Sequence, residues 1–192
     1  MPVPASTPAP PKHVFVTVGS TRFDALVNRV LSPPVLDALR AKGYQTLEVQ
    51  CGNSDVDIGQ LQKVAEDRWK LAGGVETTVW RFKPSLQADY EQADLIISHA
   101  GSGTILDVLR MKKPLIVIPN PTLLDNHQAE LSDSLAGLNH LRSTTVADLP
   151  QAIEKFDIST LVPFPQFDGS RFRELLDDEM GFSHSRETSA GR

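Results

Sequence analysis

"LIISHAGSGTILDVLRMKKPLIVIP" runs from Leu95 to Pro119. It opens on an apolar run and passes through the glycine-rich "SHAGSGT" (Ser98–Thr104). Apolar residues at helical spacing follow, and a second apolar run closes the stretch. That order reads as strand, turn, helix, strand. The runs "LIIS" and "LIVI" are apolar throughout rather than alternating, as in a parallel sheet covered on both faces.

The same order extends to either side. "HVFVTVG" (His13–Gly19) reads as a buried strand. Phe23, Leu26, Val27 and Val30 then have helical spacing, and Pro33 and Pro34 break or restart that helix. Val35, Leu36 and Leu39 continue it to Gly43, and "YQTLEVQCG" (Tyr44–Gly52) is a second strand. "DIGQLQKVAEDRW" has helical character, "GGVETTVWRF" (Gly73–Phe82) reads as a strand, and "PSLQADYEQA" (Pro84–Ala93) as a short helix opened by proline. After Pro119 come a helix over "DNHQAELSDSLAG" (Asp125–Gly137), a short strand in "HLRSTTV" and a helix in "ADLPQAIEKF". Strands alternate with helices throughout. The expected fold class is α/β, a doubly wound parallel sheet of Rossmann-like form. The ordered domain is expected over 13–165, after a disordered Pro-rich arm over 1–12. A C-terminal helix and flexible tail are expected over 166–192.

The chain has 192 residues, 40% hydrophobic and 22% charged, enough for one domain with a real core. A net charge of −5 disfavours broad nucleic-acid binding. Cys51 is the single cysteine, which fits a reducing compartment such as the cytoplasm. No run approaches the ~18 apolar residues of a membrane span. The chain has no P-loop lysine motif, no G-x-G-x-x-G after the first strand, no G-x-S-x-G elbow and no metal-ligand spacing.

Ligands of open α/β sheets bind at the carboxyl ends of the strands. Two turns there carry glycine and hydroxyls, "TVGST" (Thr17–Thr21) and "SHAGSGT". A helix starting near Ser102 presents unpaired N–H groups and the positive end of its dipole. Gly101 and Gly103 allow close approach, and Ser102 and Thr104 add hydroxyls, so a phosphate or diphosphate fits. His99 can donate to a phosphate oxygen. Asp107, about 6 Å further along the helix axis, suits a ribose hydroxyl pair. Such turns also serve in many proteins only to pack helix on sheet, and a lone His or Asp there is often structural.

Four segments together carry a resemblance: "HVFVTVGST" with "FDALV" (His13–Val27), "ADLIISHAGSGTILDVL" (Ala93–Leu109), "KPLIVIPN" (Lys113–Asn120) and "DNHQAELSDSL" (Asp125–Leu135). Over roughly His13 to Ala152 the chain resembles the catalytic subunits of the eukaryotic UDP-N-acetylglucosamine transferase. It is also similar to the donor-binding half of the bacterial lipid II glycosyltransferase MurG, of GT-B fold. The resemblance implies inverting transfer of N-acetylglucosamine from UDP-GlcNAc to dolichol-diphosphate-GlcNAc, the second step of lipid-linked oligosaccharide synthesis for N-glycosylation. It implies no cofactor and no metal. A membrane-anchored partner subunit would supply the acceptor half, at the cytosolic face of the endoplasmic reticulum.

Roles follow residue by residue. Gly19, Ser20 and Thr21 would face the cleft near diphosphate and acceptor. Phe82 and Lys83, in "RFKPSL", would flank the uracil. Ser98, Gly101, Ser102, Gly103 and Thr104 would cradle the diphosphate, with His99 stabilising its charge. Asp107 stands where a glutamate usually binds the ribose. Asn126, His127 and Gln128 would touch the donor sugar, although Asp125 or Asn126 also reads as a plain helix cap. The general base stays unassigned. The alternatives are a UDP-sugar-binding module without transfer and a Rossmann oxidoreductase.

Overall fold

Fully buried Val14, Phe15 and Val16 sit on the central strand of one mixed sheet. The computed structural model describes residues 11–57, 61–66, 68–71, 74–122 and 127–165. In chain order these form β1 (Lys12–Thr17), α1 (Asp24–Val30), α2 (Pro33–Ala41) and β2 (Tyr44–Gln50). An edge follows, β3 (Leu61–Ala65), β4 (Arg68–Leu71) and β5 (Glu76–Trp80). Then come α3 (Gln87–Gln92), β6 (Leu95–His99), α4 (Ser102–Arg110), β7 (Leu115–Ile118), α5 (His127–Gly137), β8 (Arg142–Ser143) and α6 (Leu149–Lys155).

The strand order is β3-β4-β5-β2-β1-β6-β7-β8. From β5 to β8 every pairing is parallel, with Val16 opposite both Val49 and Ile97. The chain winds outward from β1 to β5, then returns to lay β6 on the other side of β1. The winding reverses between β1 and β6, and such a reversal opens a crevice at the carboxyl edge.

Period-two alternation sorts the side chains. Val14, Val16, Leu47, Val49 and Ile97 enter a cluster roofed by Leu26, Val27, Leu39 and Ile153 of α1, α2 and α6. Phe15, Trp80, Ile96 and Val117 face the other way, under Tyr90 of α3 and Ile105, Val108 and Leu109 of α4. The Phe15 ring stacks on Trp80 at 6.1 Å and meets the edge of Tyr90 at 5.7 Å. Pro33 in the first turn of α2 restarts the helix after Val30, and Gly43 ends it with φ +83°. No helix among the described residues is long and apolar enough to cross a membrane.

One reading fails. "DIGQLQKVAEDRW" is not helical where it is described: β3 and β4 form an antiparallel hairpin, and β4 pairs antiparallel with β5. The helical stripe of Leu61, Val64 and Ala65 does not form one buried face: Leu61 packs at the edge of the core, but Val64 is 50% exposed and Ala65 faces solvent too. The operative pattern has period two: Trp69 and Leu71 of β4 are half-buried while Arg68 and Lys70 face solvent. The sheet is therefore mostly rather than wholly parallel. Boundaries also move. α3 starts at Gln87, three residues after Pro84, and β1 takes in Lys12, the last residue of the expected arm. Residues 1–10 of that arm and the C-terminal helix and tail expected over 166–192 lie outside the described residues.

Candidate functional site

The turn between β6 and α4 stands beside the winding reversal. Gly101 is the N-cap, and no side chain caps the helix. The first intrahelical bond runs from Ile105 N–H to the Gly101 carbonyl at 3.0 Å. The N–H groups of Ser102, Gly103 and Thr104 therefore have no acceptor inside the helix. Ser102 and Gly103 are exposed, and a Cβ on Gly103 would meet nothing within 4 Å. Three free donors, a helix dipole and open space make an anion cradle. Asp107 is exposed one turn on. Thr104 and Asp107 lie beside the Tyr90 hydroxyl, whose pKa is raised by burial, against a hydrogen bond with the Thr104 side chain that lowers it, and raised further by the Asp107 charge. Ser98 does not reach this cradle. It is fully buried, and its hydroxyl donates to the His99 carbonyl at 2.9 Å.

His99 is wedged between the two glycine turns. A Cβ on Gly101 would come within 2.4 Å of its Nε2, and a Cβ on Gly19 within 3.0 Å of its Cε1. Both glycines are thus required by one imidazole. Its Nδ1 is sealed from solvent without a hydrogen bond. Burial lowers the His99 pKa, against a weaker opposite pull from the Thr17 backbone. Burial also lowers that of His13, although Glu48, Asp94 and Asp89 oppose it.

Both rings are more readily protonated in the unfolded chain. Between their folded pKa values and about 6.5 the unfolded state binds more protons, so stability rises with pH there. Their contribution is whole above about pH 6.5 and is lost as pH falls below it. Thermal unfolding at pH 7.5 and 5.5 checks this: the midpoint is expected to be lower at pH 5.5. A midpoint that stays level or rises would mean that neither ring is held neutral by the fold.

The turn after β1 is braced from β2. Gly19 has φ +61°, its N–H donates to Thr17 Oγ1 at 3.1 Å, and its carbonyl accepts from Gln50 Nε2 at 2.8 Å. Thr21 N–H donates to the Val18 carbonyl, and Asn53 Nδ2 donates to that of Ser20. Gly19 and Thr21 are therefore parts of a rigid wall facing the second turn, with Ser20 exposed at its tip. Gln50 Nε2 also donates to the Arg81 carbonyl at 2.7 Å, which ties in the loop after β5. On that loop Phe82 is 55% exposed. Lys83 is not free: its ammonium bonds Glu48 at 3.0 Å and Asp89 at 2.5 Å and lies 4.2 Å above the Trp80 ring. Phe82 is open to solvent, and Lys83 is tied into the loop's surroundings.

Beyond β7, Asn120 is buried. Its Nδ2 donates to the Arg22 carbonyl, and its N–H donates to Gln128 Oε1 at 3.1 Å. This leaves the Nε2 of half-buried Gln128 as the donor free to turn toward the edge. His127 is exposed at the start of α5, 3.8 Å from Glu130. Asn126 lies outside the described residues. A cleft of about 850 Å³ opens beside this region, with Asn120, Ala129, Arg142 and Thr144 in its walls. Neither glycine turn lines it.

Of the residues expected from sequence, Gly19, Ser20, Thr21, His99, Gly101, Ser102, Gly103, Thr104 and Asp107 come together around the crevice. Phe82 and Gln128 flank it on its two sides. Gln50, which braces two loops, lies in none of the four segments that carry the resemblance; Asn120 closes "KPLIVIPN" but had no role assigned there.

Residues 13–177 match the glycosyltransferase family 28 C-terminal domain. A Cryptococcus neoformans protein named UDP-N-acetylglucosamine transferase subunit ALG13 is 34% identical over 91% of this chain and 99% of its own length. The Homo sapiens protein of that name is 40% identical over 68% of this chain but only 11% of its own. The NMR solution structure of ALG13 superposes with a TM-score of 0.63 at 31% identity, covering 86% of this chain and 95% of that one. Acinetobacter baumannii MurG shares the fold, with a TM-score of 0.57 at 22% identity over 81% of this chain and 44% of that one.

Proposed function

The chain belongs to the glycosyltransferase family 28 C-terminal domain family, and we propose that it is the donor-binding catalytic subunit of a UDP-N-acetylglucosamine transferase. It moves N-acetylglucosamine from UDP-GlcNAc to dolichol-diphosphate-GlcNAc, with inversion at the anomeric carbon. The observation that carries this reading is the uncapped start of α4 beside the winding reversal, with His99 packed between the two glycine turns.

In this reading the N–H groups of Ser102, Gly103 and Thr104 hold the diphosphate of UDP. Phe82 flanks the uracil, Asp107 takes the ribose hydroxyls, and Gln128 Nε2 and His127 lie toward the sugar. As the glycosidic bond breaks, negative charge builds on the diphosphate. Fixed N–H dipoles stabilise it without having to reorient. His99, neutral in the free chain, gains basicity beside that charge and donates from Nε2. The acceptor approaches from outside the crevice, carried by a membrane-anchored partner at the cytosolic face of the endoplasmic reticulum.

The test is transfer of labelled sugar from UDP-GlcNAc to dolichol-diphosphate-GlcNAc by the full chain reconstituted with partner-containing membranes. Formation of the two-sugar product supports the reading. UDP binding without product would make the chain a non-catalytic donor-binding module.

A further inference from the structure

Gln50 ends β2 with its side chain buried, and both N–H bonds and the carbonyl oxygen of its amide are engaged. Oε1 accepts from Thr17 Oγ1 at 2.6 Å. Nε2 donates to the Gly19 carbonyl at 2.8 Å and the Arg81 carbonyl at 2.7 Å. Two carbonyls can be met only by the NH₂ side, so the network itself sets the orientation of the amide. Thr17 Oγ1 relays the same chain of bonds back to Gly19 N–H.

β1 and β5 are not neighbours in the sheet, because β2 lies between them. One amide nitrogen on the strand between them therefore joins the turn after β1 to the loop after β5. Two residues on, Gly52 has φ +52°, and a Cβ there would sit 2.5 Å from the Gly19 carbonyl oxygen. Arg81 reaches back to the Gly52 carbonyl at 3.0 Å. The carboxyl end of β2 thus touches both loops at several points, and Gln50 is where the contacts converge.

We propose that Gln50 is a positioning residue that sets the separation between the diphosphate side and the base side of the donor site. It touches neither ligand group. It couples them: a nucleotide is bound well only when its base and its diphosphate match two loops held at one fixed distance. The ligand part of this inference rests on the donor-site reading; the bracing of the two loops stands without it.

The experiment uses the full chain and its Gln50→Met variant, with Gln50→Glu as a second variant that keeps the shape but loses the two donors. Amide hydrogen exchange is followed in residues 18–21 and 81–83. Binding of UDP, uridine and GDP is measured by calorimetry. Exchange in both segments is expected to rise together by about ten-fold, with Val14–Val16 unchanged. The UDP/GDP and UDP/uridine affinity ratios are each expected to fall about five-fold, as for loss of a buried hydrogen-bonded brace. A purely structural role would lower the unfolding midpoint and leave both ratios alone. Exchange rising in only one segment, or either ratio staying within about two-fold of the parent, would overturn the proposal. If Gln50→Met does not fold, Gln50→Glu decides by the same readings. If the parent chain itself binds UDP no better than GDP, the donor reading falls, and the exchange data still decide whether Gln50 braces the loops.

Discussion

Gly101→Ala is expected to lower kcat/KM for UDP-GlcNAc by about a hundred-fold, the usual consequence of misplacing a reacting group by about 1 Å. Nothing in the backbone forbids alanine, since Gly101 has φ −75° and ψ 124°. The obstacle is His99. The new methyl would lie 2.4 Å from Nε2, 3.0 Å from Cε1 and 3.1 Å from Cδ2. Normal contact needs about 3.5 Å, so the ring or the first turn of α4 must shift by about 1 Å. The ring cannot retreat freely, because Gly19 closes its other side. Gly103→Ala is the matched control: it meets no protein atom, so its unfolding midpoint should not drop while Gly101→Ala loses both stability and turnover. Donor kinetics and thermal unfolding of the two variants, side by side, check this. An unfolding midpoint and turnover both unchanged in Gly101→Ala would mean that Gly101 is not shaped around His99.

His99→Ala comes next, with an expected loss of about thirty-fold in kcat/KM, or roughly 2 kcal/mol, for one charge-assisted contact to a developing charge. The loss should fall mainly on kcat, because in the proposed site the α4 N–H groups also hold the donor's ground state. His99→Gln, which can place an amide near Nε2, should recover part of it. Removing the imidazole also empties the space between Gly19 and Gly101, so the unfolding midpoint must be measured on the same preparations. Turnover unchanged in His99→Ala would remove the imidazole from the chemistry and leave it as packing.

The parts of this molecule legible in its sequence are those where one physical signal dominates. Unbroken apolar runs marked β6 and β7 as buried parallel strands. Glycine and hydroxyls after β6 marked the uncapped start of α4. The hairpin of β3 and β4 was not legible, because Leu61, Val64 and Ala65 mimic a helical stripe while edge pairing with β5 decides the outcome. Ser98 and Lys83 look like ligand contacts in the sequence. Only three-dimensional neighbours reveal that the Ser98 hydroxyl turns inward and that Glu48 and Asp89 hold the Lys83 ammonium. The bracing roles of Gln50 and Asn120 escape for the same reason: their amides donate to backbone carbonyls of distant turns, which no spacing rule reaches.

The most direct measurement of whether the α4 N-terminus is the diphosphate site is a titration of the isotope-labelled full chain with UDP, followed by amide NMR. The amide signals of Ser102, Gly103 and Thr104 are expected to move most, with Gly19 and Phe82 following and uridine alone sparing the α4 signals. Saturation with UDP that leaves Ser102–Thr104 unmoved, while signals elsewhere shift, would contradict the account.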